Sequence, residues 1–241
     1  MSLIKLVKKI SGDFKQIFGY PKCDYGTDYT VDYQKYWLQR RGLGPVSLSP
    51  WQTQRAAWAL SLFETGSSIL DVGWKDGDVV GFLCEQGGYK RIDASIDENV
   101  LLLAKSLGIS NVGINFSDLE AIDKLGMADY ILGFDILEHV GNSETVLFHL
   151  LKKANKGLLV SFPNSGYFAH RLRLLFGRFP LQWRTHPGEH LRFWTVRDMR
   201  FWLNSLGLKK QARIILYEGI PILNKVFPKL FAQGILIFIK K

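Results

Sequence analysis

Apolar residues at the start of the chain recur with helical spacing: Leu3, Ile4, Val7, Ile10, Phe14, Ile17 and Phe18, with lysines on the other side. That period predicts an amphipathic basic helix over 1–20. Two fates suit such a helix: docking on its own domain, or resting on an anionic membrane. Residues 20–30, with Pro21, Gly26 and several polar side chains, read as a loop. Residues 32–41 read as a short helix with Tyr33, Tyr36 and Trp37 on one side, broken by Gly42, Gly44 and Pro45. Ser49 then caps a helix that opens with Pro50 and runs to about Glu64, where Thr65-Gly66 ends it.

From residue 67 onward the period alternates. The segments 69–72, 91–96, 111–115, 128–133 and 157–162 read as strands, and 77–86, 98–107, 119–124 and 142–154 between them read as helices. Such alternation implies right-handed crossovers and a mostly parallel sheet covered on both faces, a three-layer α/β fold. Thr195 caps a further helix over 195–206, and 212–217 and 231–239 are late strands. The expected organisation is a helical extension, 1–64, followed by one α/β domain, 65–241. The stretch 163–194 is an insert of a length that usually serves function in a compact domain.

Composition narrows this picture. The 241 residues include 47% hydrophobic side chains, ample for a core, and no run of 18 apolar residues. Lys5, Lys8 and Lys9 interrupt the N-terminal apolar stretch, so it does not read as a signal peptide. Cys23 and Cys84 have neither metal-ligand nor redox spacing. The expectation is a cytoplasmic protein without disulfides and without a metal site. The net charge of +9 is uneven: residues 171–241 hold 14 Lys+Arg against 3 Asp+Glu. A basic C-terminal third suits an acidic substrate, a membrane surface or nucleic acid, and equally a solvated basic face.

An open α/β sheet binds its ligand at the carboxyl ends of its strands. The residues that follow the expected strands are Asp71, Gly73, Trp74 and Gly77; Ser95, Ile96 and Asp97; Asp118 and Leu119; Phe134, Asp135, Glu138 and His139; and Asn164. The first of these groups is a strand, a glycine-containing turn and a helix start, which brings backbone N–H groups to a ligand.

The segments Leu70-Asp71-Val72-Gly73, Leu137-Glu138-His139-Val140, Val160-Ser161-Phe162-Pro163-Asn164 and His190-Leu191-Arg192-Phe193-Trp194-Thr195, in this order and spacing, resemble the class I S-adenosylmethionine (SAM) dependent methyltransferases of the MetW-like and small-molecule kind. The resemblance covers roughly residue 33 to the C-terminus. It implies a Rossmann-like, seven-stranded sheet with a last antiparallel strand, and SAM as cofactor. It places Asp71, Gly73, Trp74 and Gly77 around the methionine part of SAM, and Ser95 and Ile96 at the ribose. Asp118 and Leu119 fall at the adenine, Phe134 and Asp135 on the floor near the sulfonium. Asp118 alternatively reads as a helix N-cap.

Two positions depart from the family pattern. Lys75 stands where the middle glycine of the turn belongs, and Ser95 where a carboxylate normally takes both ribose hydroxyls. Together they predict a weakened cofactor site. Glu138, His139 and His190 are the catalytic candidates, because an oxygen or nitrogen acceptor needs a base and histidine suits that role. His139 alternatively supports its loop, and His190 alternatively bonds to backbone. Asn164, Arg171, Arg173 and Arg192, among the aromatics of the insert, are the substrate candidates, since arginines clamp phosphate and carboxylate. The expected activity is methylation of an acidic small molecule or a glycan or other biosynthetic intermediate. The alternatives are a catalytically degenerate relative acting as partner or scaffold, and a nucleic-acid methyltransferase.

Overall fold

The computed structural model describes residues 3–20, 48–72, 79–92, 116, 118–182 and 187–241. Six described strands form one sheet: β1 (Ser68–Asp71), β2 (Lys90–Ile92), β3 (Ala128–Phe134), β4 (Ala154–Pro163), β5 (Ala212–Tyr217) and β6 (Gly234–Lys240), in the order β2-β1-β3-β4-β6-β5. The first four run parallel, with Leu70 opposite Ile131 and Leu132 opposite Leu159. The last strand, β6, is antiparallel to both of its neighbours. The resemblance implied seven strands; the strand expected at 111–115 lies outside the described residues, as do the helices expected at 98–107 and 32–41.

Alternation along the strands divides the core in two. Leu70, Ile131, Leu158, Val160 and Phe162 face one layer, with α5 (Ser143–Lys153) and α7 (Val196–Ser205) packed over them. Ile69, Tyr130, Leu132, Phe134 and Leu159 face the other, under α2 (Pro50–Leu62) and α3 (Val79–Gly87). Burial on both faces is the physical reason these strands are predominantly apolar. Both expected caps form: Ser49 and Gln52 exchange hydrogen bonds at the start of α2, and Thr195 and Asp198 do so at α7.

Two strand starts differ most from expectation. β4 begins at Ala154, because α5 ends at Lys153 and the fully buried Ala154 enters the sheet at once. β6 begins at Gly234, because Pro228 occupies the first turn of a short helix over Pro228–Phe231.

Residues 163–194 contain helix α6 (Phe168–Leu175), against which α1 (Leu3–Phe18) packs. Ile17 seats beside Tyr167 and Ala169, and the Tyr167 hydroxyl donates to Asp13 Oδ2 at 2.8 Å. The N-terminal helix therefore docks on the domain with one face, while Val7, Phe14 and Phe18 point outward. Among the described residues, no helix is long and apolar enough to cross a membrane.

His170 on α6 is buried. Burial first, then the neighbouring Arg173 guanidinium, push its imidazole down from 6.5 to about 4. Between those values the unfolded chain binds the proton and the folded chain does not, so stability falls as pH falls through the window. The expected loss is on the order of 3 kcal/mol between neutral pH and pH 4. Urea midpoints for the protein and for His170→Asn across this range check it; parallel curves would refute it.

Candidate active site

The described site lies along the carboxyl edge of β1, β3 and β4. Asp71 ends β1 and pairs in register with Leu132 of β3, two residues before Phe134. β3 ends at Phe134, and the chain turns through Asp135 with φ at +49°, a left-handed conformation that aspartate tolerates better than most residues. A single 3₁₀ turn, Leu137–His139, follows. Its geometry is held by Ser143, whose hydroxyl is shared between the carbonyls of Leu137 at 2.6 Å and Val140 at 2.9 Å.

Glu138 and His139 project from this turn, and the insert brings His190 to them from fifty residues away. The peptide N–H groups of Leu191 and Arg192 both donate to the Glu138 carbonyl, at 2.8 and 3.1 Å. Arg192 pairs with Glu144, donates to the Gly141 carbonyl at 3.0 Å and lies over the Trp194 ring. Trp202 Nε1 donates to the same Glu144 at 2.7 Å. Burial opposes the Glu144 charge, but Arg192 and Trp202 outweigh it and hold the carboxyl below its ordinary value. The His139 and His190 rings meet edge to face with centroids 4.6 Å apart, and Glu138 is fully buried beside them. Ligating atoms of the three side chains all lie within 4.8 Å of one another. His139 Nδ1 bonds to the Glu189 carbonyl. A carbonyl only accepts, so Nδ1 is the donor in that bond.

A second polar group fills the edge behind Phe134. Arg55 of α2 is buried and reaches Asp135 with one amino nitrogen 2.7 and 2.6 Å from the two carboxylate oxygens. Its Nε donates to the Tyr217 hydroxyl at 2.6 Å, and its guanidinium lies against the rings of Trp51, Phe134 and Tyr217. Ser161 donates to Asp135 Oδ1 at 2.7 Å and accepts from the Asp135 N–H at 2.9 Å. Burial opposes the Arg55 charge, yet Asp135 and Tyr217 hold it above its ordinary value; burial raises Tyr217. Sequence reasoning missed Arg55, Tyr217 and Ser161. The available signal was one arginine on the helical face that carries Ala56 and Ala59, both buried.

The remaining candidates divide. Asp118 caps α4 (Leu119–Asp123), its side chain accepting from Ala121 N–H at 3.2 Å, while Leu119 packs against the core. Phe134 is buried as a core ring in the layer under α2 and α3. The substrate candidates are largely occupied by the fold. Asn164 is fully buried, donates to the carbonyls of Lys229 and Ala232, and accepts from Gly166 N–H. Arg173 is also fully buried and donates to the carbonyls of Gln16, Ile17, Gly19 and Phe179, so a ligand has no access to it. Arg192 is spent on Glu144. Arg171 is exposed and donates through Nε to the Gly166 carbonyl at 2.7 Å. Gly73, Trp74, Lys75, Gly77, Ser95 and Ile96 lie outside the described residues.

The family profile described as "Methionine biosynthesis protein MetW" matches residues 55–237. A ubiquinone biosynthesis O-methyltransferase from Rickettsia akari (strain Hartford) is 29% identical over 120 residues, 48% of this chain and 47% of that protein. The chain thus spans about half the length of this curated relative. In fold the chain is similar to a SAM-dependent methyltransferase from Archaeoglobus fulgidus, with TM-score 0.53 and 17% identity over 88% of this chain and all of that one. It is also similar to a magnesium protoporphyrin IX methyltransferase from Synechocystis PCC 6803, with TM-score 0.51 and 16% identity over 98% and 99% of the two chains.

Proposed function

The chain belongs to the MetW family, and from that premise we propose that it is a SAM-dependent methyltransferase acting on an acidic small molecule or a glycan or other biosynthetic intermediate. The observation that carries this reading is the proximity of Glu138, His139 and His190 at the edge where Asp71 ends β1 and Asp135 follows β3. The class I methyltransferase fold and the O-methyltransferase relative support it.

The described residues suit SAM. Asp71 at the end of β1 is a carboxylate that suits the cofactor's amino group, and Asp118 stands before α4, where an adenine amino group would meet an acceptor. Asp135 is already neutralised by Arg55, so it shapes the floor and adds little negative field. SAM supplies a methyl group on a positively charged sulfur. The protein's own part is to align an acceptor for in-line displacement, which demands positioning above all. An acceptor hydroxyl or amine must also lose a proton, and in this reading His139, whose Nδ1 bonds to the Glu189 carbonyl, takes it through Nε2.

Calorimetric titration with SAM and its demethylated product tests the reading. Weak one-to-one binding is expected. Lys75→Gly and Ser95→Asp should each tighten it; a restored charged acceptor is worth about 1.5–3 kcal/mol, or roughly 10- to 100-fold. Absence of SAM binding in all variants would sink the proposal. Binding at micromolar affinity or better that neither reversion improves would sink the account of Lys75 and Ser95.

A further inference from the structure

We propose that Glu138, His139 and His190 form a binding site for a divalent transition-metal ion, with open coordination positions directed to an oxygen ligand.

Three features carry this. The first is the donor set: one carboxylate and two imidazoles, with ligating atoms within 4.8 Å of one another. A general base needs one lone pair. Three convergent ligand atoms, on a fully buried carboxylate and two half-buried rings, suit a cation better, because imidazole nitrogens and carboxylate oxygens are metal ligands. The second is the outer support. His139 Nδ1 is bonded to the Glu189 carbonyl, the arrangement that fixes a metal-binding imidazole's tautomer and aims Nε2 at the ion. The third is rigidity. The Leu191 and Arg192 N–H groups grip the Glu138 carbonyl, Ser143 pins the turn from behind, and the Arg192–Glu144–Trp202 group ties the two segments together. A site assembled from two chain segments fifty residues apart gains this preorganisation only in the folded protein.

Ligand type sets the metal. Imidazole with carboxylate favours manganese, iron, cobalt or zinc over magnesium, which prefers oxygen donors. Three protein ligands leave positions open, as in catalytic rather than structural sites. An acceptor oxygen on such an ion loses its proton to water near neutral pH, because the cation stabilises the anion that remains. With the ion bound, His139 Nε2 is a ligand and the base role passes to solvent. The oxygen then attacks the methyl carbon, the carbon–sulfur bond breaks, and its electron pair stays on sulfur as a neutral thioether. This last step rests on the methyltransferase reading; the ion site does not.

The full chain, stripped with chelator and dialysed, is titrated with Co²⁺ alone by visible absorption and with Zn²⁺, Mn²⁺ and Mg²⁺ alone by calorimetry. One Co²⁺ or Zn²⁺ per chain is expected, with a rise in Tm and much weaker Mg²⁺ binding. His139→Gln, His190→Gln and Glu138→Gln should each lower affinity at least about 100-fold, with circular dichroism reporting that each variant is folded. Absence of stoichiometric Co²⁺ and Zn²⁺ binding by the folded wild type overturns the proposal, as does binding that the folded variants retain unchanged. Metal binding without SAM binding would uphold the site and remove the methyltransferase reading; SAM binding without metal would do the reverse.

Discussion

Arg55→Ala is expected to destabilise the protein by about 3–5 kcal/mol, the range for removing one partner of a buried ion pair. Its guanidinium is the countercharge for Asp135, a donor to Tyr217, and a flat body against Trp51 and Phe134. Without it, the Asp135 carboxylate loses the buried cation that pairs with it, while the Ser161 hydroxyl still donates to it. Domains of this kind are stable by only about 5–15 kcal/mol, so the loss consumes a large part of the total. The carboxylate sits on the residue that turns the chain from β3 into the Glu138–His139 segment, so the change should also loosen the site. Arg55→Lys keeps the charge without the fork and should recover part of the loss. Urea unfolding monitored by circular dichroism measures both. A change under about 1 kcal/mol for Arg55→Ala would show that the Asp135 carboxylate finds its compensation elsewhere.

Arg173→Ala should release α1 from the domain. The arginine serves the carbonyls at the C-terminal end of that helix, which have no partners within it, and it stacks on Tyr20. A cation there also opposes the negative end of the helix dipole. Hydrogen bonds to a charged group contribute about 1.5–3 kcal/mol, and the vacated volume adds to the cost, so a total of about 3 kcal/mol is expected. The distinguishing readout is local. Amide hydrogen exchange should accelerate across 3–18 while the strands of the central sheet stay protected. Uniform acceleration through β3 and β4 would refute local release. Unaltered protection of α1 would show that Ile17 and the Tyr167–Asp13 bond suffice to hold it.

Both experiments turn on residues whose roles the linear order conceals. The strand-and-helix alternation after residue 67 was legible because a strand buried on both faces is predominantly apolar, as Ile69-Leu70 and Leu158-Leu159-Val160 are. Ser49 and Thr195 announced their helix starts because capping is a local bond to a backbone N–H within the first turn. Glu138, His139 and His190 could be picked out as chemically apt, and the fold brings them together.

What each charged side chain is spent on was settled only in three dimensions. Arg173, Arg192 and Asn164 have the chemistry of ligand-binding residues, and Arg173 and Arg192 stand in the basic insert. The fold uses them to satisfy helix-end carbonyls, Glu144 and the loop before β6. Arg55 stood unremarked in an ordinary helix, eighty residues from the aspartate it neutralises. The physical reason is that periodicity and caps depend on neighbours within a turn or two. Burying a polar group requires a partner, drawn from any part of the chain, and only tertiary packing chooses it.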